Sequence, residues 1–103
     1  MISLDVIEHI PKEIEGKVLE TFCNNLKIDG FCLIGTPNIN SSVYASKTSL
    51  EGHINMYSAE KLQEFLLESF NNVFIFGGND EMIHTGFRPL THYLLALCCN
   101  KKI

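Results

Sequence analysis

Three short apolar runs are the feature that most constrains the fold of this chain. They are FCLIG (31–35), VFIFG (73–77) and THYLLALCC (91–99), and turn-forming residues flank the first two. A strand that is apolar at successive positions is buried on both faces, which is typical of a sheet covered by helices. Because the third run is apolar at both parities, we predict that it lies at the centre of the sheet.

Two segments between these runs have the apolar spacing of amphipathic helices. Residues 11–27 form the first, with Pro11 suited to an opening turn. Ser58 is a predicted N-cap of the second, which we expect to end at Asn71-Asn72. The apolar stripes are Ile14, Val18, Leu19, Phe22, Cys23 and Leu26 in the first helix, and Leu62, Phe65, Leu66 and Phe70 in the second.

The order of these elements predicts an α/β fold in which helices flank about three strands, the last two forming an antiparallel pair. Residues 39–57 are polar and lack periodicity, so we predict a loop or lid there. With 103 residues, the chain is long enough for one domain with a modest core.

Charge and composition narrow the classes of partner. The net charge is −4 and the eight basic residues are scattered, so we predict no nucleic-acid partner, because phosphate binding needs clustered Lys and Arg. No apolar run is long enough to predict a membrane span. Asp5 and Glu8 stand where a signal peptide has basic residues, which predicts a cytoplasmic protein.

The four cysteines and four histidines lack the spacing of common metal sites. No C-x-x-C or H-x-x-x-H pattern occurs. We therefore predict reduced, buried thiols and no metal site, with a metal or redox site as the alternative.

Three stretches resemble a known family when they are taken together and in order. They are SLDVIEHIP (3–11), LKIDGFCLIGTPN (26–38) and HINMYSAEKLQEFL (53–66). They resemble the C-terminal half of class I S-adenosylmethionine-dependent methyltransferases, and within these the methyltransferase type 11/12 domain group. Ile28 and Asp29 depart from the family's L-K-P-G-G turn. The resemblance implies a Rossmann-like half sheet whose last strand runs antiparallel between two others.

The glycine-rich loop through which this family holds its cofactor has no counterpart here. Such a loop lets the backbone approach the ligand at a helix N-terminus, whereas Gly77-Gly78 follow a late strand. The resemblance thus implies that residues 1–103 form one partial, acceptor-side domain. Because such a piece exposes an unpaired sheet edge, we predict self-association or an N-terminal half supplied by another chain.

The resemblance also implies cofactor-binding and catalytic residues. Ser3, Leu4 and Asp5 would face the methionine end of S-adenosylmethionine. His9 is the predicted base or acceptor-orienting residue, since an imidazole accepts protons near neutral pH, and Glu8 would orient it. The alternatives are a capping or solvated Asp5, and Glu8 and His9 as polar groups at a helix entry.

Substrate-binding residues are expected after the next strand and in the lid. By family position, Thr36, Pro37 and Asn38 border the acceptor pocket, at the carboxyl end of a strand where ligands bind in α/β sheets. His53 and Tyr57 are further predicted contacts, with ordinary surface loop residues as the alternative.

The function implied is methyl transfer from S-adenosylmethionine to an unidentified, small, polar acceptor. We expect the isolated chain to be inactive and to bind the cofactor weakly or not at all. The alternatives are a catalytically inactive half-fold acting as a binding or assembly module, and a small-molecule-binding protein that uses the lid pocket without cofactor.

Overall fold

Five strands form one mixed sheet in the computed structural model, which describes residues 1–40, 52–79 and 82–102. Their order across the sheet is β1-β2-β5-β3-β4, and helices cover one face, which confirms the predicted α/β class, although the sheet has five strands where about three were predicted. The strands are β1 (Ile2–Leu4), β2 (Phe31–Pro37), β3 (Phe70–Asn79), β4 (Met82–His84) and β5 (Tyr93–Lys101).

The last strand lies at the centre of the sheet, as its two apolar faces predict. β5 runs antiparallel to β2 on one side and to β3 on the other, while β1 is parallel to β2. Leu94, Ala96 and Cys98 are buried on one face, and Leu95 and Leu97 are only partly buried on the other, so the predicted burial of both faces is complete on one face only. This arrangement confirms the expected strand between two antiparallel neighbours.

The two long helices are α1 (Glu15–Asn24) and α2 (Ala59–Leu67). The predicted first helix begins late, because Pro11 has an extended ψ of 139° and short 3-10 turns at Ile7–His9 and Lys12–Ile14 precede α1. Ser58 caps α2 as predicted, since its Oγ accepts a hydrogen bond from the Lys61 N–H at 3.1 Å. None of the helices formed by the described residues is long and apolar enough to cross a membrane.

β3 begins three residues before its apolar run. The helical spacing predicts that Phe70 ends the second helix and that Asn71-Asn72 follow it, but the helix ends at Leu67 and Phe70 opens the strand. Phe70 is buried while both asparagines are exposed. The prediction failed there because a buried aromatic residue four positions after Leu66 satisfies a helical stripe and a strand equally well.

The core lies between the helices and the covered face of the sheet. Its largest buried side chains include Ile34, Leu62, Leu66, Phe70 and Leu94. Lys101 ties the central strand to α1, because its Nζ donates to the carbonyl oxygens of Cys23, at 2.7 Å, and Leu26. A cation at that end of a helix also interacts favourably with the helix dipole.

Candidate functional site

The candidate site begins where the chain leaves β1. Asp5 has a φ of 57°, in the left-handed region that Asp tolerates better than most residues. Its N–H donates to the Gly35 carbonyl at 3.0 Å, so the turn stays beside the end of β2. The 3-10 turn that follows directs Glu8 back against β2. This location, at the carboxyl ends of two parallel strands, is where α/β sheets bind ligands.

Glu8 is a buried carboxylate with only one of its two oxygens hydrogen-bonded among the described residues. The residue is 0% exposed, and Thr36 Oγ1 donates to its Oε1 at 2.9 Å. Its Oε2 has no hydrogen-bond partner among the described residues. Burying a carboxylate without partners is costly, so Oε2 is a position at which a ligand would be stabilised.

A backbone carbonyl determines which nitrogen of the neutral His9 ring carries the hydrogen. The His9 Nδ1 lies 2.5 Å from the Gly52 carbonyl oxygen, and a carbonyl only accepts, so Nδ1 holds the hydrogen. In the neutral ring, Nε2 then keeps its lone pair. That Nε2 lies 3.7 Å from Glu8 Oε2.

His53 joins this pair from a segment far along the chain. Its ring centroid is 5.0 Å from that of His9, with an interplanar angle of 64°. Its Nδ1 is buried and, like Glu8 Oε2, has no hydrogen-bond partner in the part of the chain that the structure describes. One ligand atom from each of Glu8, His9 and His53 lies within 4.8 Å of the others.

One carboxylate and two imidazoles form a donor set that suits a divalent transition metal. The two unpartnered buried atoms fit such an ion, and the bonds from Thr36 and to Gly52 resemble the outer hydrogen bonds that orient metal ligands. The sequence spacing predicts no metal site, because it contains no H-x-x-x-H pattern and no carboxylate–histidine cluster with convergent spacing. Local spacing gives no signal for His53, since only the tertiary fold brings it to Glu8 and His9.

The three predicted cofactor residues lie at the end of β1, beside this cluster. Ser3 is buried and Leu4 about half exposed. The Asp5 carboxylate is engaged, because Tyr93 Oη donates to its Oδ1 at 2.8 Å. Burial and this hydrogen bond raise the pKa of Tyr93 well above its ordinary range. The cofactor role of these residues stays a prediction.

Three of the predicted substrate contacts are buried and bonded internally. Thr36 supports Glu8, and Asn38 Nδ2 donates to the Arg88 and Thr91 carbonyl oxygens at 2.9 and 2.7 Å. Tyr57 is 0% exposed, and its hydroxyl donates to Glu15 Oε2 at 2.7 Å. Burial, and then this hydrogen bond, raise the pKa of Tyr57 above its ordinary range.

Pro37 is partly exposed at the end of β2. Within the predicted lid at 39–57, residues 41–51 lie outside the described residues. Direct contact of the acceptor with any of the predicted substrate residues stays a prediction.

Comparison with known proteins gives one informative likeness. No family model and no curated protein matches the sequence. Among solved structures, the crystal structure of the small RNA methyltransferase HEN1 matches with a TM-score of 0.73 and 15% sequence identity. The match covers 96% of this chain and 13% of that one, so the chain spans a small part of the length of the structure that it matches.

This likeness corrects the predicted partner. The polar residues of the predicted lid favour a small polar acceptor, and the net charge argues against nucleic acid. That prediction is contradicted, because the solved structure that matches nearly the whole chain is that of an RNA methyltransferase. The physical reason is that a net charge of −4 averages over the chain and does not describe the field at one surface. At a TM-score of 0.73 over 96% of its residues, the chain has the fold of the matching part of that methyltransferase structure.

Proposed function

We propose that this chain forms the acceptor-side, metal-binding part of an S-adenosylmethionine-dependent RNA methyltransferase. The observation that carries the proposal is the convergence of Glu8, His9 and His53 at the carboxyl ends of β1 and β2. The acceptor class is supported by the likeness to a small RNA methyltransferase. The methyl donor is supported by the same likeness and by the sequence resemblance described above.

Methyl transfer to an RNA hydroxyl requires that the hydroxyl proton be removed. As the C–S bond of the sulfonium breaks and the new C–O bond forms, an RNA hydroxyl must give up a proton that it holds firmly at neutral pH. A divalent ion held by Glu8, His9 and His53 would polarise such a hydroxyl and lower its pKa, so that solvent water could take the proton. Glu8 supplies the negative charge of the site, while His9 and His53 supply neutral lone pairs. Ser3, Leu4 and Asp5 would border the methionine end of the cofactor.

The second candidate role for His9 Nε2 is that of the general base predicted from the sequence. This is the nitrogen whose lone pair the Gly52 hydrogen bond leaves free. One nitrogen cannot hold a metal ion and accept a proton at the same time. The two mechanisms are therefore exclusive, and metal binding distinguishes them.

The first test is a Co²⁺ titration of the 103-residue chain, followed by visible absorption. We expect stoichiometric binding that falls at least tenfold in affinity in Glu8→Gln and in His53→Asn. His84→Asn is the matched control, because His84 lies on β4, at the opposite edge of the sheet from β1. Absence of Co²⁺ binding, or binding unaffected by both cluster substitutions, would overturn the metal site and leave His9 as the candidate base.

The second test addresses the acceptor. A single-stranded RNA oligonucleotide added to the Co²⁺-loaded chain should shift the visible bands, because a ribose hydroxyl would then bind to the ion. The DNA oligonucleotide of the same sequence lacks the 2′-hydroxyl and should leave the bands in place. Equal responses to RNA and DNA, or no response to either, would reject an RNA hydroxyl as acceptor even if the metal site stands.

A further inference from the structure

We infer that Asn55 is a positioning residue that sets the separation between His53 and the turn carrying Glu8 and His9. This inference rests on the proposed metal site and adds a residue that touches neither metal nor acceptor. Asn55 is 3% exposed and lies two residues after His53. Its backbone N–H donates to the carbonyl oxygen of Glu8 at 3.0 Å. One residue thus links the two halves of the cluster.

The Asn55 side chain is held between opposite charges. Its Nδ2 donates to Glu15 Oε2 at 2.6 Å, and its Oδ1 accepts from Lys61 Nζ at 2.9 Å. Glu15 belongs to α1 and Lys61 to α2. An amide is the side-chain group that donates from one atom and accepts at another in this geometry. The position between a carboxylate and an ammonium group therefore favours Asn over Asp or Leu.

Neighbouring groups make this arrangement rigid. Asn55 Nδ2 also lies 3.0 Å from the Tyr57 hydroxyl, which donates to the same Glu15 oxygen. Lys61 Nζ donates to the Met56 carbonyl at 2.8 Å and lies 4.6 Å from the centre of the Tyr57 ring. Such buried, satisfied networks fix one geometry. The segment from Gly52 to Tyr57 is thereby anchored to both helices.

The consequence for the cluster is geometric. Metal–ligand distances are tolerated only within about 0.2 Å, so a small shift of the segment would take the ligand nitrogen of His53 out of range. The same shift would move the Gly52 carbonyl that holds the His9 Nδ1 hydrogen. Asn55 therefore acts on both histidines through the backbone.

The test compares Asn55→Asp with the wild-type chain in two measurements. The variant keeps the size of the side chain and an oxygen for Lys61, but it turns a second carboxylate toward Glu15. In the metal-free protein, we expect loss of the downfield NMR resonance of the His9 Nδ1 proton. In the Co²⁺ titration, we expect at least tenfold weaker binding and changed visible bands. Asn72→Asp makes the same change of charge at an exposed position of β3, at the other end of the sheet, and should leave both signals unchanged.

The outcomes separate this inference from the proposed function. Loss of the His9 resonance in folded Asn55→Asp, but not in Asn72→Asp, supports positioning whether or not the chain binds Co²⁺. An unchanged resonance in folded Asn55→Asp overturns it, and a lower melting temperature alone would indicate a merely structural role. If Asn55→Asp does not fold, Lys61→Met decides in the same assays, because it removes the partner of Asn55 Oδ1 and should weaken both signals. Failure of the wild type to bind Co²⁺ overturns the metal site and not the positioning.

Discussion

Replacing Thr36 with Val tests how the buried carboxylate is held. Val keeps nearly the volume of Thr but removes the hydroxyl that donates to Glu8 Oε1 at 2.9 Å. Both residues are 0% exposed, so water is not at hand to replace the lost donor. In the variant, neither carboxylate oxygen of Glu8 has a side-chain hydrogen-bond donor among the described residues. The backbone of β2 is unchanged.

The size of the effect follows from the type of bond. A hydrogen bond to a charged group contributes about 1.5–3 kcal/mol, and an unsatisfied buried partner places the loss in the upper part of that range. For a chain of this length, about 2.5 kcal/mol corresponds to a fall of roughly 10–20 °C in melting temperature. Loss of an outer hydrogen bond to a metal ligand typically costs about 10–100-fold in metal affinity, so Co²⁺ binding should weaken by that factor.

Thr36→Ser is the matched control, because it keeps the hydroxyl and loses one methyl group. That loss should cost about 1 kcal/mol and leave Co²⁺ affinity close to wild type. Urea unfolding followed by circular dichroism measures the stability, and visible absorption measures the affinity. Equal Co²⁺ affinities for the Val and Ser variants, with Val no less stable than Ser, would refute the role assigned to this bond.

Two further predictions concern stability away from the site. Burial raises the pKa of Cys32 to about 11 and that of Cys98 to about 12, from an ordinary 9.0. In the native protein these thiols therefore keep protons that they release in the unfolded chain. The free energy of unfolding should fall above pH 9 by up to about 1.4 kcal/mol per pH unit per thiol. Urea titrations from pH 8 to 10.5 should show a shallower fall in Cys98→Ala, and a fall of equal slope would contradict this account. Lys101→Met removes the ammonium that caps α1 and should lower the free energy of unfolding by about 1–2 kcal/mol. The control Lys102→Met, at an exposed position, should leave it almost unchanged. Equal unfolding midpoints for these two variants would contradict the capping role.

The fold was predictable where one pattern had one structural solution. The two apolar faces of the run at 91–99 suit the centre of a sheet better than its edge, and β5 has a neighbour on each side. Ser58 was identifiable as an N-cap because a Ser side chain before a helix accepts a hydrogen bond from an unpaired N–H of the first turn. Phe70 was not predictable, because helix and strand bury it equally well. Local patterns therefore locate elements better than they locate the boundaries between them.

The candidate site was predictable only in part, for a related reason. Glu8 and His9 stand next to each other in the sequence and follow a strand, so the pair could be singled out. His53 was expected as a lid contact, and Thr36 as a substrate contact. Their places beside Glu8 depend on tertiary distances that no spacing encodes. The need of a buried carboxylate for a donor is a physical rule, but its partner is known only once β1 and β2 are paired.

The two halves of the cluster are supported by different parts of the fold. Glu8 is held by the sheet: the left-handed turn at Asp5 is secured by Tyr93 of the central strand, and Thr36 of β2 fixes the carboxylate. Strained backbone of this kind persists where its surroundings enforce it, often at functional sites. His53 lies instead on a segment that α1 and α2 hold through Asn55. The cluster therefore forms where a turn supported by the sheet meets a segment supported by the helices, so its geometry requires that both layers be correctly packed.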